Sequence, residues 1–184
     1  MGRWGMQFVI LGLLLTGPLS LYDVQKYFRS GIALFYSASS GSIERALRAL
    51  VDAGSVSVAE ADGDRRRRKL HSVTPEGRER WRAWMLAPVS EGTGAETEVL
   101  AKVFLLGRLD SARDRESVLD AAQAQARSGL AQLRALDAQL EELTGHLPEE
   151  QRQILAYQRA TLAYGIRSQE VMYRWLDDVR QIRP

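Results

Sequence analysis

The sequence predicts a mainly helical protein: three short helices, a two-stranded hairpin, a fourth helix, and a C-terminal half that is helical throughout. Three observations carry this. Ile43, Ala46, Leu47 and Leu50 fall at i, i+3, i+4 and i+7, which places them on one face of a helix. Strand-like alternation starts at Val56 and Val58, interleaved with serines, and is followed by a turn signal. Farther on, Leu119, Ala122, Ala126, Gly129, Leu133, Leu136, Leu140 and Leu143 repeat at intervals of three and four residues. That spacing is a heptad seam.

Taken in order, residues 4–16 read as a first helix, stopped by Gly17-Pro18. Its apolar run, Phe8 to Leu15, is far shorter than the ~20 residues a membrane span needs. No small-x-small cleavage site follows, so the run is expected to be a buried helix rather than a leader, in a cytoplasmic protein. Ser20 caps a second helix over 21–28, and Asp23 completes a capping box. A small, polar stretch over 36–41 leads into a third helix over 41–52, which ends at Ala53-Gly54. Its outward face holds Ser42, Arg45, Arg48 and Ala49.

Val56 and Val58 open the first strand, Asp62-Gly63 supplies the turn, and residues 67–73 return as the second strand. Thr74 caps the next helix, with Pro75 at its first position, and this helix runs through Trp81, Trp84 and Met85 to Ala87-Pro88. Residues 89–95 read as a linker, which sets two expected domains at 1–88 and 96–184. Beyond it lie a helix over 96–109, a long one capped by Asp110 or Ser111, a break at 145–148, and a last helix over 149–182.

The 184 residues contain no cysteine, which excludes disulfide frameworks, thiolate metal sites and cysteine nucleophiles. The two histidines, His71 and His146, match no zinc motif. Net charge is +2, but it is unevenly placed. Residues 1–90 carry 13 basic and 8 acidic side chains, against 12 and 15 in residues 91–184. A basic module with an anionic partner, joined to a mildly acidic remainder, fits this split.

Three helices followed by a two-stranded hairpin is the order of a winged helix-turn-helix, whose third helix enters the DNA major groove. The expected wing tip is Arg65, Arg66, Arg67, Arg68 and Lys69, five consecutive cations able to neutralise phosphates. Arg45 and Arg48 are the best direct readers, because arginine pairs bidentately with guanine O6 and N7. Ser39, Ser40 and Ser42 stand at a helix N-terminus, as phosphate ligands or as simple caps.

At these residues the chain resembles PadR-type transcriptional regulators. The matching segments are Ile10-Leu11-Gly12-Leu13-Leu14, Gly17-Pro18-Leu19-Ser20-Leu21-Tyr22-Asp23-Val24, Gly41-Ser42-Ile43 and Val73-Thr74-Pro75-Glu76-Gly77-Arg78. The motifs occur in order over residues 8–85, and the likeness is looser beyond 95. The resemblance implies an all-helical C-terminal dimerisation domain and a homodimeric repressor of neighbouring genes, relieved by a small-molecule effector. It also implies that Tyr22 touches phosphate through its hydroxyl. One position departs from the family pattern: Glu44 stands where an aromatic residue is usual. Glu44 reads a base, or the third helix lies at another angle, or DNA binding is weakened, and all three readings stay open.

A palindromic operator needs two third helices ~34 Å apart, and the two long C-terminal helices, ~50 Å each at 1.5 Å per residue, can hold that spacing. The heptad seam, with Met172 and Leu176 of the last helix, is the expected dimer contact. Trp81, Trp84, Tyr157 and Tyr164 read either as core or as the lining of a pocket for a small aromatic effector. No cofactor, metal or membrane is expected. Nor is an enzyme, since no nucleophile–base pair or phosphate loop is present. The rival reading is a helical interaction scaffold whose winged helix binds protein and not DNA.

Overall fold

The computed structural model describes residues 3–60, 68–92, 94–145 and 147–182. The chain forms two compact units, divided at Val118/Leu119. In the first, the apolar N-terminal run becomes α1 (Arg3–Leu14), whose Val9, Ile10, Leu11, Leu13 and Leu14 are almost wholly buried. A helix apolar on all sides belongs at the centre of a core. Here α1 packs against α3 (Ser40–Asp52), α4 (Pro75–Leu86) and α5 (Ala95–Leu105). Gly12 permits that closeness, because a Cβ there would stand 2.6 Å from Leu105 Cδ1 and 2.9 Å from Trp81 Nε1.

The capping expectations hold atom by atom. Ser20 Oγ accepts from the Asp23 amide while the Asp23 carboxylate accepts from the Ser20 amide, which starts α2 (Leu21–Ser30). Thr74 Oγ1 accepts from the Gly77 amide at the head of α4. Gly77 itself is a close approach, since a Cβ would fall 2.0 Å from the Ser55 carbonyl oxygen. Two antiparallel strands, β1 (Val56–Glu60) and β2 (Lys69–Val73), pair in a register that sets Val58 opposite His71 and Glu60 opposite Lys69. Leu19 bridges to His71 through two backbone hydrogen bonds of 2.8 and 3.0 Å, tying the α1–α2 connection to the wing.

The unit boundary falls inside α6 (Ala112–Thr144), whereas the sequence suggested a linker at 89–95. The cause is α5. Its Val99, Ala101 and Leu105 are buried, it packs on α1, and its fully buried Lys102 donates to the Ala87 carbonyl at 2.6 Å. Glu98 accepts from the Ser90 amide at 3.1 Å and pairs with Lys102 at 3.3 Å, so the supposed linker is clamped onto α5.

The second unit pairs the rest of α6 with α7 (Glu149–Arg180), antiparallel. Cross-helix bonds mark the register: Arg180 to Asp120 at 2.6 Å, Gln123 to Asp177 at 2.7 Å, Arg127 to the Tyr173 hydroxyl at 3.0 Å, and Arg134 to Glu170 at 2.6 Å. Leu119, Ala122, Ala126, Met172 and Leu176 are buried within the chain, so half of the expected dimer seam already joins α6 to α7. Leu136 and Leu143, at the far end of α6, stay exposed. Among the described residues, no helix is long and apolar enough to cross a membrane.

Candidate nucleic-acid interface

The candidate interface grows from α3. Ile43, Ala46, Leu47 and Leu50 bury one side of this helix, which turns Arg45 and Arg48 outward and puts Glu44 on the flank between those two faces. Ser39 is the N-cap: its hydroxyl accepts from the Ser42 amide at 3.2 Å, and Ser42 Oγ donates to the Ser39 carbonyl at 2.7 Å. One of the three candidate serines, Ser39, is therefore the cap, Ser42 bonds back to its carbonyl, and Ser40 is exposed beside them. Gly41 leaves the helix start bare, and Arg45 Nη1 lies 3.5 Å from where a Cβ would stand.

A cleft of about 570 Å³ lies between α3, the head of α2 and the wing. Tyr22, Glu44, Arg48, Arg68 and Lys69 all line it, over an apolar floor that includes Leu47, Val51 and Val58. Residues chosen separately from the sequence thus meet on one concave surface, where three cations, Arg48, Arg68 and Lys69, face a single carboxylate, Glu44. Arg65, Arg66 and Arg67 lie outside the described residues. Glu44 has a partner: Arg48 Nη2 donates to its Oε1 at 2.9 Å.

Tyr22 is two-thirds exposed, and the Arg29 guanidinium sits 5.7 Å from its ring centroid. The sequence reading overlooked Arg29. Its signal was the spacing, because Tyr22, Lys26 and Arg29 are at i, i+4 and i+7 and share one exposed stripe of α2. Arg29 also borders a second hollow of about 360 Å³ with Ser39, Ser40 and Tyr36.

The charges around the cleft are ordered by local bonds. Asp23 titrates below the usual aspartate range, chiefly because the Ser20 hydroxyl and amide donate to it, with Arg68 and Lys26 adding attraction. His71, on β2, titrates below an ordinary histidine because burial disfavours its charge. Its Nδ1 donates to the Leu19 carbonyl at 3.2 Å, which fixes the ring as part of the wing's attachment.

The aromatic candidates fall in different units. Trp81 is buried in the first, and its Nε1 has no hydrogen-bond partner among the described residues. Trp84 stacks on Phe8, with ring centroids 5.0 Å apart. Tyr157 and Tyr164, in the second unit, are about three-quarters exposed.

Comparison with known proteins matches these regions. The family model described as virulence activator alpha C-term matches residues 97–182. A negative transcriptional regulator, PadR of Bacillus subtilis, is 28% identical over 123 residues, covering 66% of this chain and 66% of that protein, just under two thirds of its length. The crystal structure of Bacillus subtilis PadR in complex with operator DNA covers 94% of each chain at 22% identity, with a TM-score of 0.43. The Vibrio cholerae virulence activator AphA covers 95% of each at 23% identity, with a TM-score of 0.42. By its fold the chain is a winged helix-turn-helix protein, and its ordered N-terminal motifs and its 28% identity to the curated regulator make it similar to PadR-type proteins.

Proposed function

We propose that this chain is a sequence-specific DNA-binding transcriptional regulator: a homodimeric repressor of a palindromic operator, relieved by a small aromatic effector. The carrying observation is the cleft in which α3, Tyr22 of α2 and the basic wing converge. The similarity to a negative transcriptional regulator supports the same direction of control. In this reading residues 1–88 contact DNA, with Arg45 and Arg48 reading bases and the wing cations neutralising phosphates. Residues 96–184 divide their work in this reading: α5 packs on α1 of the DNA-binding module, and the rest of α6 with α7 holds the dimer.

A second copy has a face to meet. Tyr157, Tyr164 and Val171 are exposed on α7 at seven-residue intervals, with Ile154 extending the stripe. Large apolar side chains exposed in a row mark an interaction surface, and their heptad spacing suits a helix of a second copy. Leu136 and Leu143 of α6 are the part of the original seam still open to it. Replacing Tyr157 and Tyr164 together by glutamate is expected to halve the mass seen by light scattering. An unchanged mass puts the dimer contact elsewhere.

The effector part rests on Trp81 and Trp84. Lys102 Nζ lies 5.4 Å from the Trp84 ring centroid, and Trp81 holds a buried donor in the same unit. Aromatic acids are expected to quench tryptophan fluorescence, and silence across a broad panel removes the effector from the account.

The function is tested by a gel shift on the protein's own upstream region at several salt concentrations. Sequence-specific retention that falls steeply with salt supports it. No retention even at low salt overturns it and leaves the interaction-scaffold reading.

A further inference from the structure

The carboxylate of Glu44 sits in the DNA-facing cleft with Arg48, Arg68 and Lys69. Seen as charge alone, it opposes the polyanion that the surrounding cations attract. Its geometry shows more. Arg48 Nη2 donates to Glu44 Oε1, and both side chains are more than half exposed, the arginine 67% and the glutamate 51%. Neither is needed for the core, which α3 builds from Ile43, Ala46, Leu47 and Leu50.

A guanidinium has five donors in a fixed fork, so giving one to Glu44 leaves enough for a two-point contact with a base. A carboxylate only accepts, and one bond from Arg48 leaves most of its lone pairs open. Carried into the major groove and stripped of water, those lone pairs require a donor. Guanine offers only acceptors there, and thymine an acceptor and a methyl group. Cytosine offers the N4 amino group alone, while adenine sets its N6 amino group beside the N7 acceptor. The carboxylate therefore repels guanine and thymine, tolerates adenine poorly and suits cytosine. Rejection of wrong bases is as effective a source of specificity as attraction to the right one.

We propose that Glu44 is a specificity-determining residue: anchored on Arg48, its carboxylate selects a cytosine beside the guanine that Arg48 reads. The pair is one composite reader, and the ion pair of the free chain sets the two side chains next to each other. This rests on the DNA-binding reading above and deepens it.

The test is selection from a pool of duplexes with a randomised centre, using full-length wild type, Glu44→Ala, Glu44→Gln and Arg48→Ala. Wild type is expected to enrich a guanine with a cytosine next to it. Glu44→Ala loses the cytosine preference alone, on the order of tenfold. Glu44→Gln exchanges it for adenine, because a carboxamide pairs with both N6 and N7. Arg48→Ala loses the guanine. Identical enriched sequences from wild type and both Glu44 variants overturn the proposal while leaving DNA binding in place. A uniform gain in affinity on every sequence in Glu44→Ala also overturns it, since it shows simple phosphate repulsion. No enrichment by wild type removes this proposal and the DNA-binding reading together.

Discussion

Two ion pairs with the same spacing in sequence have opposite physical characters here. Glu44 and Arg48 on α3, and Glu98 and Lys102 on α5, are each an acid four residues before a base. The first pair is more than half exposed, while the second is buried, with side chains 1% exposed for the lysine and 10% for the glutamate. An exposed pair of this type contributes ~0.3–0.5 kcal/mol to its helix. A buried pair is a different object: desolvation costs several kcal/mol per ion, and survival depends on extra hydrogen bonds. Lys102 has one to the Ala87 carbonyl and Glu98 one from the Ser90 amide. The exposed pair stays open to solvent, and the buried pair fixes the chain between α4 and α5.

Breaking the buried pair on one side gives the largest expected effect. Lys102→Ala strands the Glu98 carboxylate and empties a space lined by Trp84, and should cost ~3–5 kcal/mol in urea unfolding. Lys102→Met, which keeps the volume, should cost clearly less. Equal stability of wild type and Lys102→Ala would show that the clamp does not hold the unit together.

The capping box at the start of α2 comes next. Ser20→Ala removes both the acceptor for the Asp23 amide and the hydroxyl that donates to Asp23, at ~1 kcal/mol. The Asp23 carboxyl titrates lower in the folded chain than in the unfolded one. Its stabilisation is therefore present above the ordinary aspartate range and is lost as pH falls through the lowered value. Ser20→Ala should flatten that acid limb, and an unchanged limb means the cap is not its source.

Lys102 gives a test at the alkaline end. Burial pushes its ammonium below the ordinary 10.5, against the pull of Glu98. Between the lowered value and 10.5 the unfolded chain holds a proton that the folded chain has released. The contribution of Lys102 thus grows as pH rises through that window and is lost as pH falls through the folded value. The difference in urea midpoint between wild type and Lys102→Met should widen up to pH ~10. A constant difference contradicts the burial account.

The exposed pair gives the smallest stability effect. Glu44→Ala should change the unfolding free energy by ~0.5 kcal/mol or less while altering base preference. A large loss of stability there would make Glu44 structural.

The elements whose causes are local were readable from sequence. The Ser20–Asp23 box, Thr74-Pro75 and the four apolar residues of α3 each act within one turn or one face, and they appear at the expected residues. The cleft was legible in its parts, since Tyr22, Glu44, Arg48, Arg68 and Lys69 were all candidates, although Arg29, which lies beside the Tyr22 ring and borders the second hollow, went unremarked. Features that depend on distant partners were hidden. A lysine reads as solvated, so nothing near Lys102 announced a buried ammonium or predicted that 89–95 would be clamped rather than loose. The heptads of α6 were real, but a heptad does not name its partner: Ala122 and Ala126 are buried inside the chain, while exposed apolar residues remain at Leu136 and Leu143 of α6 and recur along α7.

Base reading by α3 and phosphate contact by the wing are separated by salt-dependent gel shifts on paired variants. Arg66→Ala/Arg67→Ala should weaken every duplex alike and lower the salt slope by about two, one for each lost phosphate contact. Arg48→Ala should cost ~1–3 kcal/mol on the operator, relax one base position and leave nonspecific binding nearly intact. Equal losses on all sequences from both variants would contradict the account, because α3 would then be only another phosphate contact.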